Sequence, residues 1–128
     1  MPSTSSITPI PRQGEIWRVN FDPTLGAEIR KTRPALVVSA DDVGRLPLCI
    51  VVPITNWDTA YANFPWFVQL LPDATNGLSK SSGVDAFQVK SVARVRIQTQ
   101  LGKVTARQFT QVIRAIALCL EPGDDLTE

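Results

Sequence analysis

A charged segment in front of an apolar run is the part of the sequence best suited to chemistry. Residues 28–39 read EIRKTRPALVVS. Arg33 precedes Pro34, and proline disfavours the helical conformation in the residue before it, so Arg33 is expected in extended chain where a strand begins. A planar guanidinium held there matches two oxygens of a phosphate. The pattern favours phosphate chemistry at Arg33; the ordinary alternative is a surface ion pair with Glu28 or Asp22.

Two later segments carry further candidate groups. Thr55 ends the apolar run IVVPIT, so its hydroxyl is predicted at the tip of a strand, where it either meets a ligand or bonds the backbone. Four aromatic residues follow between Trp57 and Trp66, with Tyr61 and Phe64 between them. They could stack on unpaired bases or pack at the rim of the core.

The composition makes several enzyme classes unlikely candidates. The chain contains no histidine, and its two cysteines, Cys49 and Cys119, lie far apart in apolar runs. Histidine-dependent nucleophiles, imidazole pairs that transfer protons and zinc sites are therefore not expected, and no Gly-rich phosphate loop is present. Arginines, hydroxyls and carboxylates remain as the groups that could act on a phosphate, with no metal or cofactor.

The distribution of charge is more informative than the net charge of +1. The last eight residues, EPGDDLTE, carry four acids and no base, which leaves 13 basic and 8 acidic groups in residues 1–120. A basic body fits a phosphate-bearing ligand, although a solvated surface looks similar. Because no signal peptide and no run of about 20 apolar residues is seen, a cytoplasmic protein with reduced cysteines and no membrane partner is expected.

The elements that must position these groups are mostly short strands. Alternation in GEIWRVNF places Ile16 and Arg18 on one face of a strand and Trp17 and Val19 on the other. A C-terminal helix over about 105–120 follows from apolar residues at helical spacing and a capping-box pattern at its start. Further strands are predicted in PALVVSA, LCIVVPIT, PWFVQLL, GVDAFQVKSV and RVRI with QLGKV. Short strands at this spacing along the chain suggest a small, strongly bent sheet or barrel.

Composition divides the chain into three regions. Residues 1–12 are rich in Ser, Thr and Pro without an apolar period, and are predicted to form a disordered arm. Residues 13–121 are predicted to form one β-barrel domain, and residues 122–128 an acidic tail. The polar connection DPTLGAEIRKTR exceeds an ordinary hairpin loop, and loops of that length are commonly functional.

Three motifs in order carry a family resemblance. RQGEIWRVNFDPTLGAEIRKTRPALVVS, VVPIT and GLSKSSGVDAFQVKSV succeed one another between Arg12 and about Leu120. In that order and spacing, the chain resembles the MazF/PemK toxin endoribonucleases of type II toxin-antitoxin systems. The resemblance implies a mainly β fold, an SH3-like small β-barrel of the CcdB/Kid/MazF type with a C-terminal α-helix. It also implies a homodimer that cleaves single-stranded RNA at short sequences without metal or cofactor.

The resemblance assigns roles to individual residues. It places catalysis on Arg33 and Thr55, with Glu28 as the candidate base. RNA supplies its own nucleophile, the 2′-hydroxyl, so a 2′,3′-cyclic phosphate and a 5′-hydroxyl are the expected products and DNA should not be cut. Further RNA contacts are expected from Arg30, Lys31, Thr32, Asn56, Trp57, Ser82, Gln88 and Lys90.

The chain departs from the family pattern at two positions. Phe87 stands where many members carry an acid, and Thr32 stands where some carry a histidine. If those side chains move protons or read a base in relatives, this chain must do so differently.

The implied partner is a cognate antitoxin whose flexible acidic C-terminal segment competes with RNA for a basic groove. Two alternatives share the fold: a CcdB-like toxin that binds a protein target such as gyrase, and a non-catalytic RNA-binding barrel.

Overall fold

The computed structural model describes residues 10–23, 25–43 and 47–126. Short 3₁₀ turns cover Thr59–Asn63, Ala86–Gln88, Arg94–Arg96 and Asp124–Leu126. The strands are β1 (Glu15–Asn20), β2 (Thr32–Val37), β3 (Leu48–Asn56), β4 (Phe67–Leu70), β5 (Ser82–Asp85), β6 (Lys90–Ala93) and β7 (Ile97–Lys103), followed by the helix α1 (Ala106–Cys119).

All strand pairs are antiparallel, and the long central strand β3 organises them. The strands lie in the order β4-β5-β3-β2-β1-β7, and β6 also pairs with β3. The first part of β3 pairs with β6 and its last part with β5, where Thr55 lies opposite Gly83. This arrangement confirms the predicted mainly β fold with a C-terminal helix.

The bent sheet carries an apolar core on each face. Ile16 lies opposite Leu36 and both enter the first core, whereas the next pair, Trp17 and Ala35, enters the second. Since successive side chains of a strand point to opposite faces, the alternation predicted for β1 serves two cores at once. Val52, Ile54, Leu70, Val84 and Val112 belong to the first core, and Val19, Phe21, Val37, Val51 and Val92 to the second.

The helix α1 begins as its sequence predicts. The Thr105 hydroxyl accepts a hydrogen bond from Gln108 N at 3.1 Å, and the Gln108 side chain accepts one from Thr105 N at 2.9 Å. This capping box satisfies two amides that the helix itself leaves unpaired. Val112 and Ala115 are buried, so the helix packs against the first core. Among the described residues, no helix is long and apolar enough to cross a membrane.

The segment GVDAFQVKSV does not form one strand, and that prediction is wrong. β5 ends at Asp85, the turn Ala86–Gln88 follows, and β6 begins at Lys90. The Asp85 carboxylate accepts a hydrogen bond from Phe87 N at 3.1 Å, which caps the turn. Aspartate offers the backbone this alternative to the strand ladder, and alternation of apolar residues does not reveal it. The turn leaves Phe87 70% exposed.

A buried asparagine fixes the turn between β4 and β5. Asn76 is 0% exposed; its Oδ1 accepts hydrogen bonds from Asp73 N at 3.2 Å and Leu78 N at 3.0 Å. Its Nδ2 donates to the Leu71 carbonyl at 2.8 Å. Gly77 has a φ of 70°, and a Cβ there would lie 2.0 Å from the carbonyl oxygen of Leu101 in β7. Only glycine fits that contact, so this turn is held rigidly against β7.

Parts of the predicted terminal regions can be described. Of the predicted arm, residues 1–9 lie outside the described residues, and the Arg12 guanidinium lies 3.3 Å from the Asp41 carboxylate. In the predicted acidic tail, Asp124–Leu126 forms a 3₁₀ turn, and residues 127–128 lie outside the described part.

Candidate active site

Two hydrogen bonds, one of them to a side chain, close the base of the loop between β1 and β2. Phe21 N donates to the Lys31 carbonyl at 3.0 Å, and Lys31 N donates to Asp22 Oδ1 at 2.9 Å. Lys31 has a φ of 68°, in the left-handed region that non-glycine residues seldom adopt. The Asp22 carboxylate therefore holds the bend that delivers the chain to β2.

Arg33, the second residue of β2, is oriented by the loop in front of it. Its Nε donates to the Arg30 carbonyl at 3.0 Å. Within the described part of the chain, its terminal nitrogens bond no residue, and it forms no ion pair with Glu28 or Asp22. The Glu28 carboxylate instead accepts Leu25 N at 2.6 Å. The guanidinium is held in place with two donors free for the oxygens of a phosphate.

Four of the predicted site residues line a single cleft of about 210 Å³, here called the Arg33 cleft. Its apolar lining residues include Pro34 and Ile54. The Ser82 hydroxyl is turned inward and donates to the Lys80 carbonyl at 2.8 Å. The four predicted residues are Arg33, Thr55, Asn56 and Ser82.

Thr55 lies beside a closely packed position of the neighbouring strand β5. It lies opposite Gly83, where a Cβ would come within 3.1 Å of the Phe67 ring and 3.2 Å of the Trp57 ring. Trp57 also meets Tyr61 edge to face at 5.7 Å between ring centroids. Trp57 lines neither the Arg33 cleft nor the cavity described next, and its RNA contact stays a prediction.

Three other predicted residues line a second cavity of about 270 Å³, here called the Gln88 cavity. They are Glu28, Gln88 and Lys90, and Phe21 and Pro53 contribute apolar wall. The residues predicted as one site are therefore divided between two cavities. The loop before β2 connects them, since it carries Glu28 and also the Arg30 carbonyl that holds Arg33.

Gln88 ties that loop to the end of β5. Its Oε1 accepts a hydrogen bond from Ile29 N at 2.8 Å, and its Nε2 donates to Asp85 Oδ2 at 3.0 Å. Burial raises the pKa of the Asp85 carboxyl, and the hydrogen bonds from Gln88 and Phe87 oppose that shift. The family resemblance identified Gln88, but Asp85 was not identified, because strand alternation assigned the acid to an ordinary strand position.

The remaining predicted residues line neither cavity. Arg30, Lys31 and Thr32 are exposed at the end of the loop, and the Arg30 Nη2 donates to the Gly26 carbonyl at 3.2 Å. Their RNA contacts stay predictions.

Two cationic residues of the Arg33 cleft were missed from the sequence, Arg18 and Lys80. Arg18 is the exposed residue of β1 and lies opposite Pro34, next to Arg33 in β2. Alternation predicted Arg18 on the face of β1 away from Trp17 and Val19, but pairing between β1 and β2 was needed to bring Arg18 next to Pro34 and into the lining of the cleft. Lys80 lies in GLSKSS, directly after the turn that Asn76 fixes.

The chemistry available in the Arg33 cleft is cationic and hydroxylic. Its described lining includes no acidic residue. Over the described ranges, no group of three His, Cys, Asp or Glu side chains lies close enough to hold a metal ion. The cleft can bind a phosphate and stabilise negative charge that develops on it.

Comparisons with known proteins relate the chain to one family. The family of PemK-like, MazF-like toxins of type II toxin-antitoxin systems matches residues 12–120. Endoribonuclease MazF9 of Mycobacterium tuberculosis is 34% identical over 117 residues, covering 86% of this chain and 96% of the relative. The MazF crystal structure from Deinococcus radiodurans has a TM-score of 0.73 at 28% identity, covering 90% and 100%. A MazE-MazF structure from that organism has a TM-score of 0.68 at 26% identity, covering 91% and 100%.

Proposed function

The chain belongs to the PemK-like, MazF-like toxins of type II toxin-antitoxin systems and is an endoribonuclease, and we propose that it cleaves single-stranded RNA at short sequences without a metal ion. One observation carries the proposal: Arg33, with terminal nitrogens that bond no described residue, lines one cleft together with Thr55. Acting on mRNA in the cytoplasm, such an enzyme would arrest growth.

The proposed reaction uses the nucleophile that RNA itself provides. The 2′-oxygen attacks the adjacent phosphorus, the bond from phosphorus to the 5′-oxygen breaks, and a 2′,3′-cyclic phosphate and a 5′-hydroxyl result. One proton leaves the 2′-hydroxyl, and one reaches the departing 5′-oxygen from Arg33 or from solvent. The terminal nitrogens of Arg33 bind the two non-bridging oxygens and stabilise the charge of the transition state, while Thr55 hydrogen-bonds the phosphate or the attacking hydroxyl.

Glu28 is the proposed acceptor of the 2′-hydroxyl proton. Its carboxylate lines the Gln88 cavity and holds Leu25 N at 2.6 Å, so it must leave that bond to reach the 2′-hydroxyl. Such a movement involves only a short stretch of the loop. Glu28 lies two residues before Arg30, whose carbonyl orients Arg33. The base role stays a prediction.

Two partners are proposed with the activity. The MazE-MazF structure from Deinococcus radiodurans joins a related toxin to MazE, so a cognate antitoxin is proposed here as well. A flexible acidic C-terminal segment of that antitoxin would compete with RNA for the cationic Arg33 cleft. A homodimer is proposed as the working form.

Cleavage of mixed-sequence RNA tests the proposal. Purified protein in EDTA should cut single-stranded RNA into discrete fragments and leave DNA of the same sequence intact. Arg33→Ala should abolish cutting, whereas Arg107→Ala, on an exposed position of α1, should cut as wild type. Circular dichroism establishes that both variants are folded.

The alternatives predict different outcomes in the same assay. A non-catalytic RNA-binding barrel would bind the RNA without cutting it, and a CcdB-like toxin would neither cut nor require Arg33 for its toxicity. If the protein cuts no RNA, with or without ribosomes, the nuclease proposal is wrong.

A further inference from the structure

The Arg33 cleft contains more positive charge than one phosphate requires. Arg18 reaches it from β1, Arg33 from β2, and Lys80 from the segment before β5. Three cationic residues from separate parts of the chain therefore line one small volume. Two of them, Arg18 and Lys80, have no role in the reaction proposed above.

These cations have no counter-charge within the part of the chain that the structure describes. None of the three forms an ion pair with a described acid, and no Asp or Glu lines the cleft there. Like charges held together without a partner repel one another and raise the local potential for anions. Such a cluster is stabilised when an anion binds between its members.

The lining of the cleft extends beyond the residues assigned to the scissile phosphate. Besides Arg33 and Thr55, it includes the polar residues Ser79 and Lys80. Polar and charged groups are thus present beyond those that would bind the scissile phosphate.

We propose that Arg18 and Lys80 form a second phosphate subsite, which binds the RNA phosphate adjacent to the one that is cleaved. The inference rests on the proposed nuclease function. It makes the minimal substrate an oligonucleotide with a charged phosphate next to the scissile one. Arg18 and Lys80 hold the strand in register, so they act on substrate binding, whereas Arg33 acts on the bond that breaks.

A substrate that lacks one charge tests the subsite. In oligonucleotides of the cleaved sequence, the phosphate on the 5′ or the 3′ side of the scissile one is replaced by an uncharged methylphosphonate. Wild type should lose about tenfold in kcat/KM at one of the two positions, chiefly through KM. Arg18→Gln should lose a similar factor on the normal substrate and nothing further on that neutral one.

Salt dependence provides an independent measure of the same contact. On single strands each phosphate contact contributes about 0.7 to the slope of log affinity against log salt, so Arg18→Gln and Lys80→Gln should each lower the slope by about that amount. Arg107→Gln, which removes an exposed charge on α1, should leave both the slope and KM unchanged.

The outcomes separate this inference from the proposed function. If Arg33→Ala abolishes cutting but Arg18→Gln and Lys80→Gln match wild type on charged and neutral substrates, the subsite is refuted and the nuclease stands. If Arg18→Gln weakens only the binding of an acidic peptide, the subsite for RNA is likewise refuted. If wild type cuts nothing, the proposed function fails, and a 2′-deoxy oligonucleotide still measures whether Arg18→Gln weakens RNA-like binding.

Discussion

Replacing Asn76 by aspartate should destabilise the protein strongly, although the two side chains have nearly the same shape. The amide Nδ2 donates to the Leu71 carbonyl at 2.8 Å, and the side chain is 0% exposed. In Asn76→Asp, an oxygen that cannot donate faces that carbonyl, and a negative charge is buried without a cation. The acceptor bonds from Asp73 N and Leu78 N are retained.

The size of the effect follows from two costs. A buried acceptor left without its donor costs about 1–3 kcal/mol, and burying an unpaired charge brings the total to roughly 3–5 kcal/mol at neutral pH. That is a large part of the 5–15 kcal/mol that is typical of a domain. The melting temperature should fall by roughly 10–20 °C for a chain of this length.

The loss should depend on pH in a defined direction. Burial and the adjacent Asp73 carboxylate, whose Oδ1 accepts a hydrogen bond from the residue 76 N–H at 2.8 Å, raise the folded-state pKa of the introduced carboxyl against the effect of its two backbone donors. The variant is therefore relatively most stable below the unfolded pKa and loses stability as pH rises through the folded pKa. At low pH the protonated carboxyl can donate to the Leu71 carbonyl in place of the amide.

Urea unfolding between pH 4 and 8 measures the effect, with Asn63→Asp as the control because Asn63 is exposed. The control should stay within about 0.5 kcal/mol of wild type. If Asn76→Asp is as stable as the control, or if its loss does not change with pH, the buried network does not hold this turn.

Three further predictions concern the loop and its anchors. If Glu28 is the base, Glu28→Gln should lower kcat by about 10²–10⁴; a loss below about threefold would assign the proton to water. Gln88→Leu should speed hydrogen exchange of the Ile29 amide by roughly tenfold or more and lower kcat/KM. The control Gln111→Leu, on the exposed face of α1, should do neither, and unchanged exchange in Gln88→Leu would show that Gln88 does not anchor the loop. Because folding raises the pKa of Asp85, the contribution of this carboxyl to the stability of the fold is greatest below the unfolded pKa and is lost as pH rises through the folded pKa. Wild type should therefore lose stability relative to Asp85→Asn over that interval, and a difference in unfolding free energy that does not change with pH would contradict this.

Much of the site could be predicted because local rules place its main residues. The proline after Arg33 and the apolar run before Thr55 fix both at strand ends, and the structure brings them into one cleft. The capping box of α1 is equally local. These features depend on neighbours within a few positions of the chain.

What the sequence did not reveal depends on contacts between distant segments. Arg18 joins Arg33 only through the pairing of β1 with β2. Gln88 accepts a hydrogen bond from Ile29 N, although the two residues are 59 positions apart in the chain. This bond holds the loop at the Gln88 cavity, which is separate from the Arg33 cleft. Asp85 ends a strand because its own carboxylate caps the next turn, a competition that periodicity does not detect.

The central claim is that the Arg33 cleft promotes attack by the 2′-hydroxyl of RNA. Mass spectrometry of the products from two matched oligonucleotides tests it most directly, one all-RNA and one with a single 2′-deoxy residue at the cleaved position, both in EDTA. The account predicts a 2′,3′-cyclic phosphate and a 5′-hydroxyl from the first and no cut at that position in the second. Cleavage of the deoxy substrate at the same bond, or products that carry a 5′-phosphate, would contradict it.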